Sequence, residues 1–323
     1  MLSIIIPIYN EQEILPELFR RVTQVLETIR MDYEVIVVND GSTDDSLAVI
    51  HQFYRQNRRI KCLSFSRNFG HQMAITAGID HAQGDAVIIL DGDLQDPPEI
   101  IPQFIDKWRE GYDVVYGVRQ HRKESWKKRV AYALFYRLLR EIANIDIPLD
   151  SGDFGLIDRK VADHLRKFPE QHRFVRGLRS WVGFRQTGIP YERDARYAGE
   201  VKYTFGKLFT LALDGLMAFT TAPLRAVTIF GFIVSFIAFF SAMLIFIERF
   251  LTVDVVPGYA TTLISILFLG GVQLIGIGII GEYIARIYDE VKQRPPYIIA
   301  DRLGFVETEP PNDKREVKKL DKV

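Results

Sequence analysis

Two carboxylates one residue apart, Asp91 and Asp93, close the apolar run Ala86-Val87-Ile88-Ile89-Leu90 and open the stretch Asp91-Gly92-Asp93-Leu94-Gln95-Asp96. Where a buried strand gives out, such a pair makes a poor core and a good oxygen-ligand set for a hard cation. Mg²⁺ or Mn²⁺ commonly bridges one or two carboxylates to the phosphates of a substrate, so a diphosphate is the leading candidate ligand. A solvated turn closed by Pro97 and Pro98 predicts the same residues. The residues around the pair have to decide between the two.

Those surroundings read as alternating strands and helices. Leu2 to Ile8 is a continuous apolar run, the pattern of a strand buried on both faces. Asn10 followed by Glu13 has the form of an N-cap with its capping-box partner, opening an amphipathic helix through about Ile29. Tyr33 to Val38 and Ile60 to Phe65 are further strands, followed by the turn Asn39-Asp40-Gly41-Ser42-Thr43-Asp44 and by Arg67-Asn68-Phe69-Gly70 with a helix from about Gln72 to Ala82. Val87 to Leu90 is the fourth strand. The order predicts an α/β fold, a mostly parallel sheet with helices on both faces, whose ligands bind at the carboxyl ends of the strands where strand order reverses. Glu11, Asp40 and the Asp91/Asp93 pair all fall at such ends, on three different strands. That placement favours a nucleotide-type site.

Beyond the acids, Pro98 to Trp108 reads as a helix and Asp113 to Tyr116 as a short strand. Gly117-Val118-Arg119 then leads into a basic stretch containing Arg119, Arg122, Lys123, Lys127, Lys128 and Arg129. A solvated helix face would account for clustered cations. Because these follow a strand end on the same edge as the acids, an anionic second substrate or anionic headgroups account for them better. In Ser151-Gly152-Asp153-Phe154 the glycine beside an acid suggests a tight backbone presenting the Asp153 carboxylate to the site; a cap on the next helix or turn is the competing explanation.

The chain has 323 residues, 48% of them hydrophobic, with 41 basic and 41 acidic side chains. The charge balance gives no argument for nucleic acid. Cys62 is the sole cysteine, which excludes an internal disulfide and suits a buried apolar residue. Residues 226–247 and 259–281 contain no charge, and each run is long enough as a helix to cross a hydrocarbon core of roughly 30 Å. Arg225 precedes the first span, Arg286, Lys292 and Arg294 follow the second, and Glu248, Arg249 and Asp254 lie in a short connection. The basic flanks predict a hairpin with both ends cytoplasmic. The first residues lack a basic region before their short apolar run, so no signal peptide is read, and the catalytic part and both termini are expected in the cytoplasm at the plasma (inner) membrane. Apolar residues recurring from Phe205 to Phe219 suit a helix on the membrane surface, although packing on the soluble part predicts the same pattern. Gly270, Gly271, Gly276, Gly278 and Gly281 favour close packing of span two, within the hairpin or between copies in a homo-oligomer. The division is thus 1–200 catalytic, 201–225 interfacial, 226–288 hairpin and 289–323 a cytoplasmic segment with a disordered end.

Taken together, Pro7-Ile8-Tyr9-Asn10-Glu11, Asn39-Asp40-Gly41-Ser42, Asp91-Gly92-Asp93-Leu94-Gln95-Asp96-Pro97-Pro98, Gly117-Val118-Arg119 and Ser151-Gly152-Asp153-Phe154 resemble family 2 glycosyltransferases of the polyisoprenyl-phosphate branch. These include dolichyl-phosphate mannose synthases and, with a similar C-terminal hairpin, bactoprenol glucosyltransferases. The resemblance implies a GT-A (Rossmann-like) fold in which Pro7, Tyr9, Glu11 and Asp40 hold the nucleoside, with Asp40 meeting the base. It places Asp91 near ribose and diphosphate, while Asp93 and Gln95, beside Asp91, bind the cation. Arg119 and Arg129 match the positions that grip the acceptor phosphate, and Arg122 and Lys123 lie in the same basic stretch. Asn39 departs from the pattern, many relatives having a second aspartate there; the base contact is unaffected.

The implied reaction is transfer of a single hexose, glucose from UDP-glucose, to a polyisoprenyl phosphate such as undecaprenyl phosphate, with inversion. Loss of a nucleoside diphosphate builds charge that a bound cation stabilises. The phosphate nucleophile is already largely ionised near neutral pH, phosphomonoesters having a second pKa of about 6, so Arg119 and Arg129 orient it and Asp153 positions it or acts as a weak base. Other donors (GDP-mannose, UDP-GlcNAc, UDP-aminoarabinose) remain open. Three rivals also stand: a processive polysaccharide synthase, disfavoured because no Gln-x-x-Arg-Trp occurs; a non-catalytic nucleotide-sugar-binding membrane module; and a flippase or channel subunit, disfavoured because neither span carries a charge.

Overall fold

The computed structural model describes residues 1–120, 151–171, 173–193, 222–251 and 258–305. Four apolar runs become the parallel strands β1 (Leu2–Ile8), β2 (Tyr33–Asn39), β3 (Ile60–Phe65) and β4 (Ala86–Ile89). Between them lie α1 (Leu15–Ile29), α2 (Ser46–Gln56) and α3 (His71–His81). A 3-10 turn at Pro98–Ile100 leads into α4 (Ile101–Arg109), then come β5 (Val114–Gln120), β6 (Ser151–Asp158), α5 (Arg159–Arg166), α6 (Val175–Trp181) and β7 (Gln186–Glu192). Two long helices, α7 (Ala222–Leu251) and α8 (Tyr259–Lys292), precede a last strand, β8 (Ile299–Leu303).

The eight strands form one sheet in the order β7-β5-β6-β4-β1-β2-β3-β8. β1 pairs in parallel with both β2 and β4, so strand order reverses between β1 and β4, where a ligand crevice is expected. β6 runs antiparallel to β4 and to β5, and β8 runs antiparallel to β3. Strand β1 is buried on both faces because alternate side chains enter two cores. Ile4, Ile6 and Ile8 meet Leu15, Phe19, Ile50 and Phe104 from α1, α2 and α4. Ile5 faces Ala74 and Ile75 of α3, with Val161 and Leu165 of α5 and Leu178 of α6 in the same core.

Helix α3 lies close on the sheet because Gly78 has no side chain: a Cβ there would stand 2.2 Å from Ile5 Cγ2. The carbonyls at its far end are held by arginines. Arg166 donates to the oxygens of Ile79 and Ala82, and Arg159 Nη1 donates to Ala82 at 2.7 Å. The C-terminal end of α3 is thereby fixed, and its first residues, His71 and Gln72, stand at the switch point. Cys62 is buried in β3, and burial pushes its thiol up to about 12.

Several expectations need correcting. Asn10 is not an N-cap. It adopts a left-handed conformation, φ 57°, and its Oδ1 accepts from the Thr43 amide, so the chain turns before α1 begins at Leu15 without a side-chain cap. The 151–154 stretch is the start of β6, and the cap of the following helix is Asp158, whose side chain accepts from the Lys160 amide, rather than Asp153. Glu248 and Arg249 belong to α7 rather than to a connection. The segment after the second long helix returns to the sheet as β8. The region 201–221, Asp254, Arg122, Lys123, Lys127, Lys128, Arg129 and the C-terminal tail lie outside the described residues.

Helices α7 and α8 are 30 and 34 residues long, about 45 and 51 Å at 1.5 Å per residue. Each is long and apolar enough to cross a membrane.

Candidate active site

At the reversal point β4 ends and Asp91 turns out of the sheet, held close to β1 because a Cβ at the next residue, Gly92, would meet Ile8 Cδ1 at 2.4 Å and the Pro7 oxygen at 2.9 Å. Pro7 is buried within β1 and Tyr9 beyond its end is half exposed. The Glu11 amide donates to Ser46 Oγ at 3.0 Å, and its carbonyl accepts from Ile14 and Leu15 at the entry to α1. Asp40, after β2, is buried and accepts from two backbone amides, Phe69 at 2.6 Å and Gly70 at 2.9 Å. Burial, only partly offset by these donors, raises its carboxyl above the usual aspartate range. The contact with a base that the resemblance implies would therefore have to use the remaining lone pairs.

The loop after β4 gathers three acids. Asp93 Oδ1 accepts from the Gln95 amide at 3.1 Å, an Asx turn that folds Gln95 back next to Asp93 in the loop. Asp96 is fully buried. Asp91 Oδ1 is buried with no hydrogen-bond donor among the described residues. Burial, with Asp96, Asp153 and Asp93 adding repulsion, pushes the Asp91 carboxyl up to about 7 even though His71 opposes it. A carboxylate so disfavoured as an anion, with an oxygen lacking a donor and two more acids at hand, suits a hard divalent cation.

Across from it, the antiparallel strand β6 brings Asp153 to the same point. Its Oδ2 accepts from Gln72 Nε2 at 3.0 Å and lies 3.6 Å from His71 Nε2. The same imidazole nitrogen is 3.5 Å from Asp91 Oδ1, so one ring stands between the two carboxylates. Arg176 Nε approaches Asp153 Oδ1 to 3.6 Å. Arg179, buried behind, donates to the Gly152 oxygen at 3.2 Å, with its guanidinium over the Tyr116 ring. Burial would raise the Asp153 carboxyl, but His71, Arg176 and Arg179 outweigh it and hold it well below the carboxylate range. For His71 burial favours the neutral ring, and the two carboxylates outweigh it, so its pKa rises. Arg179, desolvated, falls to about 10. An acid so firmly ionised is a weak proton acceptor, and a positioning role fits it better than a base.

Arg119, at the far end of β5, completes the edge. Its Nε donates to Tyr191 Oη at 3.2 Å, and its Nη2 lies 3.6 Å from Asp96 Oδ2. A Cβ at Gly152 would stand 2.8 Å from that Nη2, so the glycine makes room for the guanidinium rather than for a turn.

Of the site residues expected from sequence, Asp91, Asp93, Gln95, Asp153 and Arg119 come together on one edge, with Asp40 and Glu11 on the neighbouring strand ends. His71, Gln72, Asp96, Arg176, Arg179, Tyr191 and Arg193 were not singled out. Asp96 stood inside the acidic motif, and Arg173, Arg176 and Arg179 at three-residue spacing were a visible signal. His71 and Gln72 carried none without the α3 register.

The chain is similar to known glycosyltransferases. A prophage bactoprenol glucosyl transferase homolog of Escherichia coli (strain K12) is 41% identical over 299 residues, covering 92% of this chain and 98% of the relative. A bactoprenol glucosyl transferase of Shigella phage SfX is 41% identical over 93% of this chain and 99% of its own length. An uncharacterized glycosyltransferase of Synechocystis sp. is 48% identical, covering 94% and 96%. Among solved structures, glucosyl-3-phosphoglycerate synthase from Mycobacterium tuberculosis with UDP matches at TM-score 0.47 and 16% identity over 68% of this chain and 79% of that one. The family model for glycosyl transferase family 2 matches residues 3–166, half of the chain. With that match, the sheet order and the acids at the reversal point, this chain is a member of glycosyl transferase family 2.

Proposed function

We propose that the protein transfers one glucose from UDP-glucose to a polyisoprenyl phosphate, with inversion, at the cytoplasmic face of a membrane. The observation that carries this reading is the span of its likeness to the bactoprenol glucosyl transferases, which extends over 92–93% of the chain and so includes the two long apolar helices as well as the sheet.

In this reading Pro7, Tyr9, Glu11 and Asp40 bind the nucleoside, and Asp91, Asp93 and Gln95 hold Mg²⁺ or Mn²⁺. When bound, the cation supplies charge stabilisation to the departing diphosphate. Arg119, with Arg129, Arg122 and Lys123 of the basic stretch, orients the acceptor phosphate, and Asp153 keeps the attacking oxygen in line. The catalytic unit is 1–200 with β8 added, followed by an interfacial region at 201–225 and a hairpin whose two basic ends face the cytoplasm. Gly276 packs against Val227 within the hairpin, its Cβ position 3.1 Å from Val227 Cγ1. Among the described residues Gly270, Gly271, Gly278 and Gly281 would meet nothing within 4 Å, a face of small residues on which another helix could pack closely.

The test is radiolabel transfer from UDP-glucose to undecaprenyl phosphate by the purified protein with Mg²⁺ or Mn²⁺. Label in a chloroform-soluble, β-linked product is expected. Label from a different nucleotide sugar only would replace the donor, and an α-linked product would overturn inversion.

A further inference from the structure

We infer that Asp96 is a positioning residue: buried where the acidic loop meets β5 and β7, it sets the Arg119 guanidinium for a phosphate of the acceptor. The inference rests on the reading of Arg119 as the acceptor-phosphate ligand.

Asp96 has no exposed surface, yet it is sparsely hydrogen-bonded. Its Oδ1 accepts from Tyr191 Oη at 2.5 Å, while Oδ2 has no hydrogen-bond donor among the described residues. Two guanidinium groups stand at 3.6 Å, Arg119 Nη2 from Oδ2 and Arg193 Nε from Oδ1. For stability alone this is a poor use of a buried charge, because well-packed apolar residues of similar volume usually do as well or better. What the arrangement does achieve is geometric. Tyr191 is bonded to both Asp96 and Arg119 Nε, so the phenol ties the acid to one edge of the guanidinium. The ring itself is wedged, its carbons 2.6 Å from a Cβ at Gly117 and its face edge-on to Phe154 at 5.6 Å. Gly152 leaves a berth for the other edge of Arg119.

The Asp96 charge faces Arg119 without gripping it. At 3.6 Å the pair is not a tight bidentate fork, so the guanidinium is oriented while its donors are not saturated by the acid. Arg119 remains 17% exposed, enough to meet a ligand. Acidic side chains do not bind phosphate, so the acid must work through its arginine. The three residues sit on three elements, the loop after β4, β5 and β7; Arg119 and Tyr191 are already opposite one another in the sheet, and Asp96 ties that pair to the loop that carries Asp93 and Gln95.

The experiment compares binding of farnesyl phosphate and farnesol to the full-length protein in detergent, for wild type, Asp96→Asn, Tyr191→Phe and Arg119→Lys. Wild type is expected to prefer the phosphate by about a hundredfold, the scale of a charge-assisted arginine contact. Asp96→Asn, which keeps an oxygen for Tyr191 but loses the charge, should cut that preference about tenfold, and Tyr191→Phe about threefold, with farnesol affinity unchanged. Combining Asp96→Asn with Arg119→Lys should lose no more than Arg119→Lys alone, as expected of residues acting through one group. An unchanged preference in Asp96→Asn, strictly additive losses, or no phosphate preference in wild type would each overturn the inference. If Asp96→Asn does not fold, Tyr191→Phe decides by the same criterion. Wild type that prefers the phosphate but transfers nothing from UDP-glucose would sink the donor assignment and leave the role of Asp96 standing.

Discussion

The two walls of the site carry opposite imbalances. In the loop after β4, three carboxylates, Asp91, Asp93 and Asp96, are met among the described residues by two guanidinium groups, Arg119 and Arg193. On β6 a single carboxylate, Asp153, is met by two, Arg176 and Arg179. His71 stands between, within 3.6 Å of an acid on each side. The carboxyls of the two walls move in opposite directions: burial and neighbouring acids push Asp91 up, while His71, Arg176 and Arg179 outweigh burial and hold Asp153 down. Similar residues a few ångströms apart thus sit in opposite electrostatic surroundings.

The sharpest way to break this comparison is Asp93→Ala. Transfer should fall by roughly a thousandfold or more, the scale of losing charge stabilisation at a leaving group. Stability should change little, because one of three crowded like charges is removed. Retention of a tenth of the wild-type rate would show that the acidic wall is not the cation's.

Asp153→Asn should behave in the reverse sense, costing about 3 kcal/mol of stability by stripping two buried or half-buried guanidinium groups of their counter-charge. Because the folded-state pKa of Asp153 is depressed, its contribution is complete above the ordinary aspartate value of about 4 and is lost as pH falls towards the folded value. Denaturant unfolding should therefore show the gap between wild type and Asp153→Asn narrowing below about pH 4. A gap that widened on acidification would contradict the sign of the imbalance.

The smallest effect comes from the cation itself. Mn²⁺ or Mg²⁺ at about ten times its dissociation constant should stabilise wild type and Asp153→Asn alike by about 1.4 kcal/mol. In Asp93→Ala the thermal shift should vanish; a shift of equal size in all three proteins would place the cation elsewhere.

The parallel half of the sheet was legible because its strands are continuous apolar runs, each separated from the next by a helix-length segment. The acids at their ends followed from that order. The antiparallel half was not, for reasons tied to particular residues. Gly152 reads as a tight backbone position that serves its neighbour Asp153, whereas the space it vacates belongs to Arg119, distant in sequence. The spacing of Arg176 and Arg179 is visible in the sequence, but the acid they balance is supplied only by the pairing of β6. Asn10 and Glu13 fit a capping box by spacing, but the Asn10 side chain is engaged by Thr43 across the site, a contact that no local pattern encodes.

Strand β8 gives the chain an order of manufacture. It pairs with β3 through Cys62↔Leu303 and Ser64↔Asp301, and Tyr297 stacks on Phe65 and donates to Asp80 at 2.8 Å. Glu290, near the end of α8, accepts from the Gln171 amide ahead of α6. Residues that close one edge of the sheet are therefore synthesised after both long helices. While the ribosome is still making α7 and α8, β3 has an open edge, the kind of surface that invites pairing with another chain. The last strand of the sheet can therefore be added only after both long apolar helices have been synthesised.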